Sequence, residues 1–188
     1  MAARRRARRP TSSGTAPRQY DRLWAPWREA YLRVAGAGPA GGCIFCFSKL
    51  SARERRRRLV LYTDPLALVM LNLYPYNNGH IMIAPRRHLA SPEQLDPRER
   101  ALLGDLIAQA VAGMRPLLKP AGFNLGANLG RAAGAGFAGH MHWHVVPRWE
   151  GDTNFMPVLS STRVLSQHLE AAFELLSPIF KTMAPSVS

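Results

Sequence analysis

The segment at residues 140–146 constrains this chain more than any other. Its three histidines alternate with apolar residues, and side chains in a β-strand point alternately to the two faces of a sheet. As a strand, the segment would place His140, His142 and His144 on one face and the apolar residues on the other. Three imidazoles on one face are costly to bury, because each has two polar ring nitrogens that need partners. The pattern therefore predicts a strand with one core face and one chemical face.

This segment resembles the signature of the histidine triad superfamily of nucleotide hydrolases and transferases. The family pattern, His-apolar-His-apolar-His-apolar-apolar, is filled here without a departure. Upstream, residues 66–72 and 74–85 are similar to the two strands that precede the triad in that family. The resemblance extends over residues 22–176. It implies an α+β fold in which an antiparallel sheet of about five strands packs against two main helices.

Local patterns place the secondary structure along the chain. Residues 21–33 carry aromatic side chains at helical spacing, and Pro26 indicates that the helix in this segment begins there. Residues 162–176 also have the apolar period of a helix. A further helix begins at Asp96, a capping acid that is followed by proline and then by glutamate at the third position, and Pro116 and Pro120 mark its end. Strands are predicted at residues 59–63, 66–72, 79–84 and 122–130.

The positive charge is concentrated away from the histidines. The net charge is +13 over 188 residues, and arginines cluster within residues 1–20 and again within 53–58. Runs of like charge are typical of solvated or disordered segments, which can attract a polyanion without specifying one. We expect a basic tail over 1–20, a catalytic domain over 21–178 and a C-terminal tail over 179–188. Any nucleic-acid binding would use the basic tail.

The composition is that of a globular protein in a reducing compartment. The apolar share is 47% and two cysteines are too few for a disulfide scaffold in a chain of this size. We expect no membrane span and therefore a cytoplasmic protein.

The Cys43-x-x-Cys46 pair is a second candidate for chemistry. From the residues alone it is compatible with a zinc site, a redox pair or two buried side chains. In many histidine triad relatives such a pair holds a structural zinc together with two histidines. The resemblance implies that these are His88, after the Ala-Pro strand, and His140, the first triad histidine. A closed Cys2His2 set suits a structural ion. We expect no organic cofactor.

The resemblance also implies a substrate site around the triad. In the family, the residue at Asn72 meets the ribose hydroxyls and His80 lies beside the nucleotide pocket. Taken alone, Asn72 is more typical of a turn-capping side chain. The glycine-rich loop before the triad can present backbone N–H groups to phosphate oxygens, and Asn128, Gly134 and Gly136 are its candidate binding residues.

One position departs from the family pattern. Dinucleotide hydrolases of this superfamily carry a glutamine four residues before the first triad histidine, where this chain has Gly136. The change removes a side-chain contact to phosphate or makes room for a second phosphate acceptor. After the triad, residues 147–149 and 151–156 resemble the actinobacterial-type branch that acts on diadenosine tetraphosphate. Trp149 is a hypothetical stacking surface for the second nucleoside.

The function that the resemblance implies is nucleotidyl transfer from dinucleoside polyphosphates, by phosphorolysis or by hydrolysis. Neutral imidazole attacks phosphorus at neutral pH without a separate base. His142, in the middle of the motif, is the predicted nucleophile, and water or orthophosphate would release the nucleotidyl-His142 intermediate. His144 would donate a hydrogen bond to the bridging or leaving oxygen. The family usually dimerises, so we expect a homodimer.

Three alternatives stay open at this point. A small phosphoramidase that releases adenosine monophosphate from an amine would use the same histidines, although the Trp149 loop and the long tail favour a larger substrate. A non-enzymatic nucleotide- or nucleic-acid-binding module would not need His142, and its binding would fall steeply with salt. A metal-dependent hydrolase would use the three histidines as ligands and would lose turnover to a chelator.

Overall fold

The fold is an antiparallel sheet with helices packed on it. The computed structural model describes residues 42–152 and 168–182. The strands are β1 (Val60–Thr63), β2 (Ala67–Leu71), β3 (Ile81–Pro85), β4 (Gly122–Ala127) and β5 (Trp143–Arg148). The helices are α1 (Ala52–Arg57), α2 (Pro97–Leu118) and α3 (Leu169–Lys181). The five strands form one sheet in the order β1-β2-β3-β5-β4. The predicted α+β class is therefore confirmed, whereas the basic tail at 1–20 and the predicted helix at 21–33 lie outside the described residues.

The sheet separates two apolar clusters. Alternation along β2 sends Val69 and Leu71 into the larger cluster, which α2 and α3 cover. Leu68 and Met70 enter a smaller cluster on the opposite face, where Phe45 is fully buried. Because β2 is buried on both faces, its sequence reads as a continuous apolar run.

The triad segment is only partly a strand. β5 begins at Trp143, so His144 is the one triad histidine that lies within it. The strand begins later than predicted because the N–H of Met141 donates to the carbonyl of Leu89, in the loop after β3, at 2.7 Å. The predicted division of faces still holds. Met141 and Trp143 pack with the helix-side cluster, and the rings of His140 and His142 contact Phe45 on the other face.

Helix α2 begins where the sequence predicts. The side chain of Asp96 accepts from the N–H of Glu99 at 2.9 Å, and the carboxylate of Glu99 accepts from the N–H of Asp96 at 3.0 Å, which closes a capping box. The predicted end is wrong for Pro116, which lies inside the last turn. The helix ends at Leu118, because Lys119 adopts the left-handed conformation with φ of 47°.

By length and mean hydropathy alone, α2 is also able to span a membrane, which the sequence analysis did not anticipate. Its buried residues lie along one side and pack against the sheet, which is typical of the core helix of a globular protein. They are Glu99, Leu102, Leu103, Leu106, Ala110 and Met114.

Helix α3 continues beyond its predicted end at residue 176. It runs to Lys181 and buries Phe180 in the larger cluster, and it therefore extends into the segment 179–188 that was expected to be a tail. Residues 162–167 of the predicted helix lie outside the described part of the chain. The arginine block at 53–58 forms the solvated helix α1, whose Arg56 pairs with Glu174 of α3.

We predict that Glu99 stabilises the fold more than a surface acid does. Its buried carboxylate binds Arg87 through both oxygens, at 2.7 and 2.5 Å. Glu99→Ala should lower the free energy of unfolding by about 2 kcal/mol, because it removes a helix cap and the partner of Arg87. Urea denaturation followed by circular dichroism measures the change. Glu93→Ala, on an exposed turn, is the control and should change stability by less than about 0.5 kcal/mol. Equal losses in the two variants would contradict the prediction.

Candidate active site and metal-ligand cluster

The triad histidines form part of a row of aromatic rings on the sheet face opposite α2 and α3. The ring centroid of His142 lies 4.8 Å from that of His144 and 4.8 Å from that of Phe45. Across the β4–β5 ladder, Gly126 is paired with His144. A Cβ at Gly126 would meet nothing within 4 Å. The sheet therefore leaves open space for a ligand beside His144.

His142 presents an unprotonated nitrogen. Its Nδ1 lies 3.0 Å from the carbonyl oxygen of His140. Because a carbonyl oxygen can only accept, Nδ1 carries the proton, and Nε2 keeps its lone pair. Burial lowers the pKa of His142 below its ordinary value, which favours the neutral ring. His142 therefore has the protonation pattern of a nitrogen nucleophile at neutral pH.

His144 has the opposite pattern, and His80 imposes it. The backbone N–H of Tyr76 donates to Nδ1 of His80 at 3.0 Å, so the proton of His80 is on Nε2. That Nε2–H donates to Nδ1 of His144 at 2.9 Å. His144 therefore carries its own proton on Nε2. Burial, and then the neighbouring His142, lower the pKa of His144 to about 4, so the ring is a neutral donor.

Two residues predicted to bind substrate, His80 and Asn72, are buried beside the row of histidine rings. His80 is fully buried and contacts His144, and substrate binding by His80 stays a prediction. Asn72 accepts the N–H of Tyr74 at 2.9 Å, and its Nδ2 lies 3.4 Å from Nδ1 of His80. These contacts are those of a turn-capping side chain. Ribose binding by Asn72 stays a prediction.

The glycine-rich loop brings two of the three predicted phosphate-binding residues into contact. Asn128 Nδ2 donates to the carbonyl of Gly134 at 3.4 Å. Gly134 has φ of 83°, a left-handed conformation that favours glycine and turns the chain towards Gly136 and the triad. The loop thus leads directly into His140. Phosphate binding by Asn128, Gly134 and Gly136 stays a prediction.

Trp149 is not brought to the histidines within one chain. Its indole N–H donates to the carbonyl of Leu118, at the end of α2, at 3.2 Å. Along β5 it lies five residues after His144, which corresponds to roughly 16 Å of extended strand. Its observed contact caps a helix, and base stacking by Trp149 stays a prediction.

A polar network that the sequence analysis missed fixes the loop before His80. The carboxylate of Asp152 accepts from the guanidinium of Arg148 at 2.6 Å and from Nδ2 of Asn77 at 2.8 Å. The carbonyl of Asn77 in turn accepts the N–H of His80 at 3.2 Å. In the sequence, the Gly151-Asp152 pair after the triad was the one signal that could have indicated this network. Its partner Asn77, 75 residues earlier, could not be read from it.

The four predicted metal ligands do come together. Nδ1 of His140 lies 3.3 Å from the sulfur of Cys43 and 3.5 Å from that of Cys46, and Nδ1 of His88 lies 3.2 Å from the sulfur of Cys46. All four ligand atoms lie within 4.8 Å of one another. Nε2–H of His140 donates to the carbonyl of Pro85 at 2.9 Å, which leaves Nδ1 free to bind a metal.

This donor set fits a tetrahedral ion. Zinc–sulfur and zinc–nitrogen bonds place neighbouring ligand atoms roughly 3.5 Å apart, close to the three sulfur–nitrogen separations of 3.2 to 3.5 Å. Among the described residues, this cluster contains one triad histidine, His140. His142 and His144 are hydrogen-bonded elsewhere, so the arrangement does not favour the three-histidine metal hydrolase.

Fold and site together define a histidine triad protein. The chain belongs to the HIT domain family, whose sequence model matches residues 53–151. It is 37% identical over 167 residues to the AP-4-A phosphorylase of Mycobacterium tuberculosis, and the match covers 85% of this chain and 84% of that protein. The family resemblance is therefore confirmed. The coarser part of the functional prediction, a nucleotide-processing enzyme of this family, is supported.

Solved structures agree with the fold. A Zn-bound histidine triad family protein from Mycobacterium smegmatis has a TM-score of 0.53 at 21% identity, and the match covers 81% of this chain and 92% of that one. A hypothetical histidine triad nucleotide-binding protein from Sulfolobus tokodaii has a TM-score of 0.54 at 26% identity, with coverage of 74% and 89%.

The low pKa of His144 predicts a loss of stability in acid. Its folded-state pKa is about 4, below the ordinary 6.5. Between these values the unfolded chain binds a proton that the folded chain does not. The part of the folding free energy that depends on a neutral His144 is therefore fully present above pH 6.5 and is lost as pH falls towards 4. Melting temperatures measured from pH 7.5 to 4.5 should fall less steeply in His144→Gln than in the parent. The control, His168→Gln, alters an exposed histidine outside the site and should keep the parent slope. A parent-like slope in His144→Gln would be evidence against this.

Proposed function

We propose that this protein cleaves dinucleoside polyphosphates, diadenosine tetraphosphate among them, through a nucleotidyl-His142 intermediate. The observation that carries the proposal is the opposite protonation of neighbouring imidazoles, with a bare Nε2 on His142 and a protonated Nε2 on His144. The first is suited to attack and the second to leaving-group stabilisation. The AP-4-A phosphorylase name of the mycobacterial relative supports this substrate class.

The first step transfers the nucleotidyl group. Nε2 of His142 attacks the α-phosphorus, and the bond from that phosphorus to the bridging oxygen breaks. Nε2–H of His144 donates to the departing oxygen of the nucleoside polyphosphate. His142 gains positive charge as its new nitrogen–phosphorus bond forms. The carbonyl of His140 stabilises that charge, because it accepts the remaining Nδ1–H.

The second step regenerates the free enzyme from the nucleotidyl-His142 intermediate. Water or orthophosphate attacks the phosphorus, the nitrogen–phosphorus bond breaks and Nε2 of His142 regains its lone pair. Gly136 has no side chain, and we expect this position to admit an acceptor larger than water, which would favour orthophosphate. Asn128 and the backbone at Gly134 would bind the remaining phosphate oxygens.

We predict that product analysis will identify the acceptor. Purified protein is incubated with diadenosine tetraphosphate, with and without orthophosphate, and the nucleotides are separated by anion exchange. ADP and ATP formed only with phosphate indicate a phosphorylase, whereas AMP and ATP formed in both cases indicate a hydrolase. His142→Ala should abolish turnover, and the control His168→Ala should retain it. If the parent cleaves nothing, the proposal fails and the phosphoramidase and binding-module alternatives return.

The Cys43, Cys46, His88 and His140 cluster is proposed as a structural zinc site. Its donor set and separations support this, as does the Zn-bound state of the Mycobacterium smegmatis relative. A closed four-ligand zinc would cross-link the segment before α1, the loop after β3 and the triad, and it leaves no position for substrate.

Zinc content is directly measurable. We expect about one zinc per chain by atomic emission after purification without added metal. Cys46→Ser should lose the ion and lower the melting temperature, because the cross-link between three segments is gone. The control, Ser48→Ala, changes an exposed residue two positions on and should leave both unchanged. A Cys46→Ser protein with full zinc would exclude this site.

A homodimer remains part of the proposal. β4 is an edge strand of the sheet. Leu125 on β4 and Leu129 after it are 50% and 43% exposed. An edge strand with exposed leucines favours pairing with a second chain.

A further inference from the structure

A residue between the two cysteines contacts the proposed nucleophile, His142. Phe45 lies between Cys43 and Cys46 and is fully buried. Its ring centroid is 4.8 Å from that of His142, with an interplanar angle of 34°, and 5.0 Å from that of His140. One face of the His142 imidazole is therefore covered by a residue of the proposed metal-binding turn.

The same cluster reaches His142 by a second route. Nδ1 of His140 faces the sulfur of Cys43 at 3.3 Å, whereas the backbone carbonyl of His140 accepts Nδ1–H of His142 at 3.0 Å. One residue thus belongs to the metal cluster through its side chain and to the catalytic row through its backbone. The tautomer of His142 therefore depends on a residue of the cluster, His140, and its ring contact depends on Phe45, which lies between the two cysteines of the cluster.

We propose that Phe45 is a positioning residue for His142 and that the metal-binding turn from Cys43 to Cys46 sets its place. The inference rests on the proposed role of His142 as nucleophile. The metal cluster would then do more than stabilise the fold, because the closed turn would hold the Phe45 ring in contact with the His142 imidazole.

Phe45 would act by restricting rotation of the His142 ring. An attacking nitrogen must point at phosphorus within about 10–20°. Within the described part of the chain, the hydrogen bond to His140 fixes one atom of the His142 ring. The tilted contact with the Phe45 ring, at an interplanar angle of 34°, restricts rotation of the imidazole about that bond. Phe45 is itself held by Phe137, whose ring meets it edge-on at 6.0 Å, and by the turn bond from the N–H of Cys46 to the carbonyl of Cys43 at 3.2 Å.

The test compares two phenylalanines of the same segment. Phe45→Leu keeps an apolar side chain but removes the aromatic ring contact with His142. Phe47→Leu is the matched control, because Phe47 is partly buried against the same apolar cluster while its ring faces the guanidinium of Arg86 at 4.5 Å. We expect Phe45→Leu to lower kcat by about 10- to 100-fold with KM changed less than about twofold, and Phe47→Leu to keep both. Zinc content should be unchanged in both variants.

A readout without substrate separates this inference from the proposed function. In the zinc-loaded parent, 15N NMR of the His142 ring should show a single tautomer with the proton on Nδ1. Phe45→Leu should show exchange between tautomers, and Phe47→Leu should not. If the parent cleaves no dinucleotide, the NMR comparison decides the inference by itself. A Phe45→Leu protein with the parent kcat and the parent spectrum would overturn it.

Removal of the metal tests the second half of the proposal. After chelation the parent should show the same tautomer exchange at His142, since the turn is no longer closed. A parent spectrum in zinc-free protein would overturn the role of the metal. If Phe45→Leu does not fold, Phe45→Met replaces it, because methionine fills a similar volume without a flat face. The same outcomes then apply.

Discussion

The hydrogen bond from Nδ1–H of His142 to the carbonyl of His140 is the interaction on which the site depends. It determines which nitrogen of His142 is bare, and its acceptor is a backbone atom that cannot rotate away. The carbonyl is held in turn from two sides. The His140 side chain donates to Pro85 at the end of β3, and the next N–H, that of Met141, donates to Leu89.

The tautomers of the neighbouring His142 and His144 rings are determined by two kinds of backbone group, a hydrogen-bond acceptor and a hydrogen-bond donor. A carbonyl accepts from His142, whereas an N–H, that of Tyr76, donates to His80 and through it determines the proton on His144. Since a backbone group cannot exchange the roles of donor and acceptor, the fold encodes the protonation pattern. Burial lowers the pKa of His142 and that of His144, which favours the neutral form of both rings.

The sheet keeps structure and chemistry on separate faces. α2 and α3 cover one face with the larger apolar cluster, and the histidine row lies on the other, over the smaller cluster around Phe45. The potential metal ligands continue that row beyond His140. The possible metal ligands, His142 and His144 are therefore contiguous along one surface, so a change in one of them reaches the others through direct contacts.

The sequence by itself determined the features that depend on local pattern. These are the period-two alternation around the triad, the capping box at Asp96, the Cys-x-x-Cys turn and, through the resemblance, the family and the α+β sheet. The tertiary structure alone decided which distant groups meet. His80 pairs with His144 across 64 residues and Cys43 meets His140 across 97, and Trp149 caps α2 instead of lying beside the histidines. Periodicity and turn chemistry act over a few residues, whereas these contacts arise only when the strands pair in register and the loops between them pack.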